Sequence, residues 1–474
     1  MRVYDKFYIN GEWVDPVTPK SLDVINPANE QVCATISIGS AADVDKAAMA
    51  ARNAFATFGR SAREERIAIL AALVETYQKR LTDIADAISD EMGAPSKLAI
   101  EAQAASGLGH LATALEILQS YEFEEMAGNS RIIKEPIGVC GMITPWNWPM
   151  NQITCKVGPA LAVGCTVVLK PSEVAPLSGY LFAEIVDEAG VPAGVFNMVN
   201  GDGPGVGTAI SGHPEIDMVS FTGSTRAGSL VAQNAAPSIK RVTQELGGKS
   251  PNILLDDVNL EEAVTRGVMH MYNNTGQSCN APSRMLIPRA QIAAAEAIAA
   301  KVTESVVVGD PKAEATTMGP VVSEVQFNKI QGLIQAGIDE GATLVCGGAG
   351  RPDGLEHGYF IKPTVFSNVS NDMTVAKEEI FGPVLVMMPY DSIEEAISVA
   401  NDTPYGLAGY VQGNNMDAVM NVASQIRAGN ININGGSGDL HTPFGGYKQS
   451  GNGREWGAHG FTDYLEVKAL SGAA

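Results

Sequence analysis

The stretch IGVCGMITPWNWPMNQITCKVGPALAVGCTVVLKPSE, residues 137 to 173, sets two short apolar runs, IGVCGMI and TVVLK, on either side of one helical pattern near 151–163. The unit repeats. A helix near 176–190 leads to GVFNMV, one near 204–212 to DMVSF, and one near 224–235 to RVTQE. Short β-branched runs joined by single helices are crossover units, which make the sheet parallel and cover both of its faces with helices. From residue 138 the chain therefore reads as a doubly wound, nucleotide-type α/β domain.

Working outward, a second α/β alternation begins at SPNILLDD (250–257) and runs to about GNININGG (429–436). Upstream, the turns INGEW and INPANE precede helical patterns at about 41–58, 62–90 and 98–119. Between the helices and the first sheet, SYEFEEMAGNSRIIKEP (120–136) reads as a hairpin turning at AGN. A lone hairpin is marginal in water, so this arm needs a surface to pack on, and another subunit is the natural candidate. The strand-like FTDYLEVKAL near the end has the length to pair with that arm or with a partner's sheet. The expected organisation is one domain from 1–118 and 138–246, a second from 247–448, and an arm and tail from 119–137 and 449–474.

Gross composition limits what such a molecule does. At 474 residues the chain exceeds one ordinary core, and its 50 Gly and 25 Pro are dispersed through a sequence that is 45% hydrophobic and 18% charged, as in a globular protein. With 32 Lys+Arg against 53 Asp+Glu, the formal charge of −21 argues against a nucleic-acid or anionic-membrane partner. A small-molecule role is favoured. MRVYDKFYINGEWVDP lacks the apolar core of a signal peptide and no run of 18 apolar residues occurs, so the cytoplasm is the expected location.

The six cysteines, 33, 140, 155, 165, 279 and 346, form no CxxC pair and no short Cys/His spacing, which argues against a disulfide framework or a structural metal. Five sit in apolar or β-like surroundings and read as small core residues. Cys279 differs. It lies in NNTGQSCNAPSR (273–284), a polar loop after the helical stretch VNLEEAVTRGVMHMY, where no apolar stripe of either period forms. A reactive thiol and a buried one both remain open there.

In an open parallel sheet ligands sit beyond the carboxyl ends of the strands, and four of those ends carry chemistry. TVVLK ends in Lys170-Pro171-Ser172-Glu173; a carboxylate there accepts ribose hydroxyls and repels a 2′-phosphate, favouring NAD over NADP, or else forms a plain ion pair at a turn. DMVSF runs into Thr222-Gly223-Ser224-Thr225 at a helix start, which suits either a pyrophosphate or an ordinary N-cap. GDGPGVG (201–207) fails the dinucleotide fingerprint at every register and is at most a turn at the adenine edge. IGVCGMI leads to Asn147, mounted between Pro145 and Pro149 and flanked by Trp146 and Trp148, a rigid amide able to hold an oxyanion or to bond its own turn. RVTQE ends at Glu245 before Leu246-Gly247-Gly248, leaving a carboxylate over any cleft between the two domains or simply in water.

Taken in order, ITPWNWP (143–149), VLKPSE (168–173), FTGSTRAG (221–228), ELGGKSP (245–251), GQSC (276–279), EEIFGPV (378–384), NDTPYGLAG (401–409) and PFGGYKQSGNGRE (443–455) resemble the motifs of the aldehyde dehydrogenase superfamily over essentially the whole chain. The resemblance implies a fold with an NAD-binding domain, a catalytic domain and a small β oligomerisation arm, assembled as a homodimer or homotetramer. It implies Cys279 as nucleophile, Glu245 as general base and Asn147 as the oxyanion-holding amide. For NAD it implies Lys170 and Glu173 at the adenosine ribose, Ser224 at the pyrophosphate, and Glu379 with Phe381 beside the nicotinamide. Ile143, Thr144, Pro145, Trp146, Ser172, Gly203, Phe221, Gly223, Leu246 and Gly247 complete the implied cofactor contacts.

The implied reaction is aldehyde oxidation through a thiohemiacetal and a thioester that water hydrolyses. Relatives that acylate coenzyme A lack a glutamate at the position of Glu245, so its presence favours hydrolysis over that alternative. A catalytically idle binding protein on the same scaffold is the other alternative, and Cys279, Asn147 and Glu245 are all retained. The expected pocket is mixed: Trp148, Gln152 and Cys155 after Asn147, Ser278 and Asn280 beside the thiol, and the loop GGSGDLH (435–441) at its mouth.

Overall fold

A computed structural model describes residues 2–436 and 438–472. Ser437, in the loop expected to face substrate, lies outside the described residues. Two large sheets organise the chain. The first has eight strands, and its central order is Arg241–Glu245, Met218–Thr222, Val139–Ile143, Thr166–Lys170, Phe196–Met198, all parallel. These strands are almost wholly buried and read as continuous apolar runs because helices cover both faces.

The sheet is longer than its sequence pattern predicts. Phe7–Ile9 and Glu12–Val14, joined by the positive-φ pair Asn10-Gly11, add an antiparallel hairpin beyond Phe196–Met198. Gly451–Asn452 caps the opposite edge against Arg241–Glu245. That short strand draws the start of the supposed tail onto the first sheet, so only Leu465–Ser471 joins the arm. There it pairs along its whole length with Ser130–Pro136, whose other side carries Glu124–Ala127. One side of the hairpin is thus covered by the chain's own C-terminal strand.

The second sheet orders Thr343–Cys346, Thr364–Ser367, Val384–Tyr390, Arg284–Pro288, Pro251–Leu254, Ala408–Gln412 and Asn430–Ile433, parallel except at the first. Leu246 to Ser250 is the link from one sheet to the other. A further small sheet joins Arg2–Tyr4, Gln31–Ser37 and Ser21–Asn26.

Two expected helices resolve into more pieces. The pattern at 62–90 is Arg63–Lys79 and Leu81–Met92, broken at Arg80, whose side chain bridges Asp83, Glu184 and Glu188. The pattern at 98–119 contains a π-helical turn, Ala99–Ala104, that carries the buried Gln103. No described helix is long and apolar enough to cross a membrane.

Candidate active site

Strand order in the first sheet reverses between Val139–Ile143 and Met218–Thr222, since the two strands that follow Val139–Ile143, Thr166–Lys170 and Phe196–Met198, lie to one side and the next two, Met218–Thr222 and Arg241–Glu245, to the other. The crevice of a doubly wound sheet opens at such a reversal. Ile143 is in register with Phe221 and with Lys170, and Thr222 with Glu245, so four strands end on one edge. Beyond it lies a cavity of about 200 Å³ that gathers Pro145, Trp146, Asn147, Gly223, Ser224, Leu246, Gly247, Cys279, Glu379 and Phe381. It also takes Thr222, from the strand-end motif, and Gln326 and Lys329, which sequence reasoning did not single out.

Each wall has a local cause. Ser224 is an N-cap: its Oγ accepts from Ala227 N at the start of Thr225–Ala235, leaving the first turn's other N–H groups facing the crevice. Gly223 has no room for a side chain, since a Cβ there would fall 2.6 Å from the Phe221 ring. Phe221, Ile143 and Thr144 are buried and do not line the cavity, and the Thr144 and Thr222 hydroxyls have no partner in the described structure. Trp146 meets Phe381 edge-on at 5.4 Å. Phe381 sits at φ +60 and its turn is pinned from Glu324–Asp339: Gln326 donates to Phe381 O at 2.8 Å and Lys329 to Glu379 O at 2.8 Å. Glu379 accepts Gly248 N at 2.8 Å.

Along the same strand edge, away from the cavity, Lys170 is buried and donates to Pro171 O at 2.9 Å and to Glu173 at 3.0 Å. Ser172 accepts Val174 N at 3.2 Å, closing that turn. One strand further, Gly203 follows Asp202, whose carboxylate caps Gly205 N. From Glu245 to Gly203 the expected cofactor positions span five neighbouring strand ends, roughly 19 Å at about 4.8 Å per strand. That suits an extended two-nucleotide ligand.

Cys279 is partly exposed on the opposite wall. Helix Leu260–Tyr272 delivers the chain to Asn274, Thr275 and Gly276, three successive left-handed residues at φ +53, +57 and +70. Such strain at non-glycine positions persists only where surroundings enforce it. Here they do. Asn274 Nδ2 donates to Asn147 O at 2.9 Å, Gln103 Nε2 donates to Asn147 O and Asn274 Oδ1 at 3.2 and 2.9 Å, and Asn147 Nδ2 donates to Gln277 O at 3.0 Å. Gln277 closes the set, its Nε2 donating to Asn274 O and its Oε1 accepting Val322 N. A buried amide cluster thus ties the Asn147 turn to the Cys279 loop.

Glu245 lies deeper. It is 4% exposed, neither carboxylate oxygen has a partner among the described residues, and Glu455, Lys156, Arg454 and Asp463 are its charged neighbours. Burial, then the charge of Glu455, hold its pKa well above the ordinary carboxylate value, with Lys156 and Arg454 opposing. Lys156 is fully buried against Glu455; burial works against its ammonium, but Glu455 keeps its pKa raised. The Cys279 thiol is pushed up by burial and by the charges of Glu245 and Glu379. The thiol is therefore protonated until a base takes its proton or a positive charge arrives.

The expected substrate residues divide. Trp148 Nε1 donates to Ser278 Oγ at 2.9 Å, joining the two loops. Gln152 and Cys155 are buried, and the Cys155 thiol faces Glu455 at 3.4 Å. Asn280 lines a separate cavity, and its carbonyl accepts the Tyr410 hydroxyl at 2.8 Å.

Comparison with known proteins agrees with this geometry. The Aldehyde dehydrogenase family profile matches residues 13–470. A 3-succinoylsemialdehyde-pyridine dehydrogenase of a Pseudomonas species is 55% identical over 473 residues, covering 100% of this chain and 99% of the relative. Among solved structures, a cysteine-to-alanine mutant of aldehyde dehydrogenase C of Pseudomonas syringae in complex with NAD+ and octanal is 54% identical, with a TM-score of 0.98 over 99% of this chain and 97% of the other. The NAD+ complex of a Bacillus cereus aldehyde dehydrogenase is 39% identical, with a TM-score of 0.95 over 98% and 96%. The switch-point cavity, the strained cysteine loop and the buried glutamate are features of a chain that belongs to the aldehyde dehydrogenase family.

Proposed function

We propose that this protein oxidises an aldehyde to its carboxylic acid with NAD, Cys279 acting as nucleophile, Asn147 as oxyanion donor and Glu245 as base for the hydrolytic water. The observation that carries the reading is the amide cluster that holds the Asn147 turn to the Cys279 loop inside one cavity with Gly247, Glu379 and Phe381. The residues fit NAD: open N–H groups at Ser224, an unpartnered Thr222 hydroxyl, and glycines 223 and 247 with no space for a side chain. Glu173 favours NAD over its 2′-phosphorylated form by repulsion. Bound NAD supplies the acceptor for the hydride that the thiohemiacetal carbon loses.

Cys279 Sγ adds to the aldehyde carbon as its proton passes, through water, toward Glu245, whose raised pKa suits it to receive one. The oxygen of the resulting thiohemiacetal meets Asn147 Nδ2, which Gln277 O already holds in place. After oxidation the acyl group rests on Cys279 as a thioester. Glu245, having passed the thiol proton on to solvent, takes a proton from water as the water oxygen attacks the acyl carbon; the C–S bond breaks, and the departing Cys279 thiolate recovers that proton from Glu245 as the acid leaves. A glutamate in this place supports hydrolysis over transfer to coenzyme A. Octanal, the aldehyde bound by the Pseudomonas syringae relative, is the first substrate to try.

NADH formation from octanal measures the proposal. Cys279→Ala is expected to abolish it with NAD affinity retained, and Asn147→Ala to lower kcat roughly 100- to 1000-fold. Turnover by Cys279→Ala would place the nucleophile elsewhere.

A further inference from the structure

Asn280, the residue after the proposed nucleophile, opens onto a second cavity of about 340 Å³ bordered by Arg266, His270, Tyr410, Gln412 and Asn432. Its lining contains no aspartate or glutamate. Arg266 projects from helix Leu260–Tyr272, and its Nε and Nη2 both donate to Gln412 Oε1, at 2.9 and 2.7 Å. Gln412 is anchored in turn, its Nε2 donating to Asn252 Oδ1 at 2.8 Å, and both amides are almost fully buried. Gly435, at φ +79, lies against the arginine stem so closely that a Cβ would fall 2.5 Å from Arg266 Cδ. The guanidinium is thus fixed by a neutral amide and by backbone.

Among the described residues Arg266 has no ion-pair partner and its Nη1 has no acceptor. In a chain with 53 acidic residues against 32 basic ones, that is a charge kept apart from carboxylates and held in place. A planar guanidinium with its fork oriented and its charge unspent is matched best by a carboxylate, which accepts two of its N–H groups at once. The cavity also borders Asn280, one residue past the Cys279 that lines the other cavity. Tyr410 donates to Asn280 O and stacks edge-on with His270 at 5.1 Å; burial first, and a Cys279 thiolate second, hold its hydroxyl above the ordinary pKa.

We propose that this cavity is a carboxylate-binding site centred on Arg266. The carboxylate is either the far end of an aldehyde acid whose aldehyde lies at Cys279, or a separate organic acid bound beside it. The first source rests on the proposed function and the second does not.

Two measurements on the full-length protein test the site: calorimetric titration with glutarate, and kcat/KM for 5-oxopentanoate against pentanal, in wild type, Arg266→Gln and Arg266→Lys. Glutarate is expected to bind wild type, and Arg266→Gln to weaken that binding about tenfold or more, as losing a charge-assisted contact does. Arg266→Lys retains part of it. If the acid tail of the substrate is the ligand, Arg266→Gln lowers kcat/KM for 5-oxopentanoate by a similar factor and leaves pentanal unchanged, and glutarate competes with 5-oxopentanoate. If a separate acid is the ligand, glutarate binds through Arg266 without that competition. Wild type that fails to bind glutarate, with the same preference between the two aldehydes in wild type and Arg266→Gln, overturns the proposal. Should no aldehyde be oxidised at all, the proposed function fails and the titration still decides the site.

Discussion

Burial of Glu245 is costly to the fold. An ionised carboxylate buried without a hydrogen-bond partner is destabilising by about 1–3 kcal/mol or more, and this one also faces Glu455. Because its folded pKa is raised above the unfolded value, the folded state binds the extra proton. The stability linked to it is present in full below about pH 4.5 and declines as pH rises toward the folded pKa, at up to about 1.4 kcal/mol per pH unit. Glu245→Gln is therefore expected to unfold at higher temperature than wild type at pH 8, with the advantage shrinking toward pH 4.5. Thermal melts across that range check it; a variant less stable than wild type at pH 8 would mean that the carboxylate is satisfied. At this scale Asn147, Lys170, Ser224 and Glu245 were legible in sequence because each follows or closes a strand, and Cys279 because it lies in a polar loop after a helix. Gln103, Gln277, Lys156 and Glu455 were not, since their role arises from contacts between segments up to 300 residues apart, such as Lys156 with Glu455.

Among elements, the loop from Asn273 to Gly276 is where backbone conformation and chemistry meet. Gly276 takes φ +70 and passes so close to the Glu379–Pro383 turn that a Cβ would fall 2.2 Å from Gly382 O. Gly276→Ala is expected to push the thiol loop away from the Asn147 turn, lowering kcat by about tenfold or more, as small misplacements of a reacting group do. NAD affinity, set mostly by the first sheet, should change little. Fluorescence titration with NAD beside NADH-formation kinetics separates the two, and an unchanged kcat would show that the loop tolerates the shift. The glycine in GQSC was visible in sequence; the strain at Asn274 and Thr275 beside it was not, because polar residues in a loop carry no mark of their dihedral angles. Likewise the three-residue strands Phe7–Ile9 and Glu12–Val14 are too short to show alternation, and Gln326 and Lys329 lie on a helix where a polar residue carries no mark of the turn it holds.

Across the whole molecule, the regular alternation of strands and helices made the two parallel sheets readable, whereas the ends of the chain were harder. Gly451–Asn452 pairs with Arg241–Glu245 through a register set entirely by tertiary packing, and it brings Glu455 to Lys156. The C-terminal segment therefore supplies charged neighbours of Glu245 and also reaches the arm. The two sheets contribute opposite walls of one cavity: Asn147 and Ser224 from the first, Cys279 and Glu379 from the second. Proposed domain limits near 246–247 fall in the short link that joins them. On the proposed function, an acyl group forms on Cys279 and leaves by water that Glu245 activates. Intact-mass spectrometry of Glu245→Gln after mixing with NAD and octanal tests this most directly. The predicted spectrum gains one octanoyl group, mapped to Cys279 and absent from Cys279→Ala; an unmodified mass during continuing NADH production would contradict it.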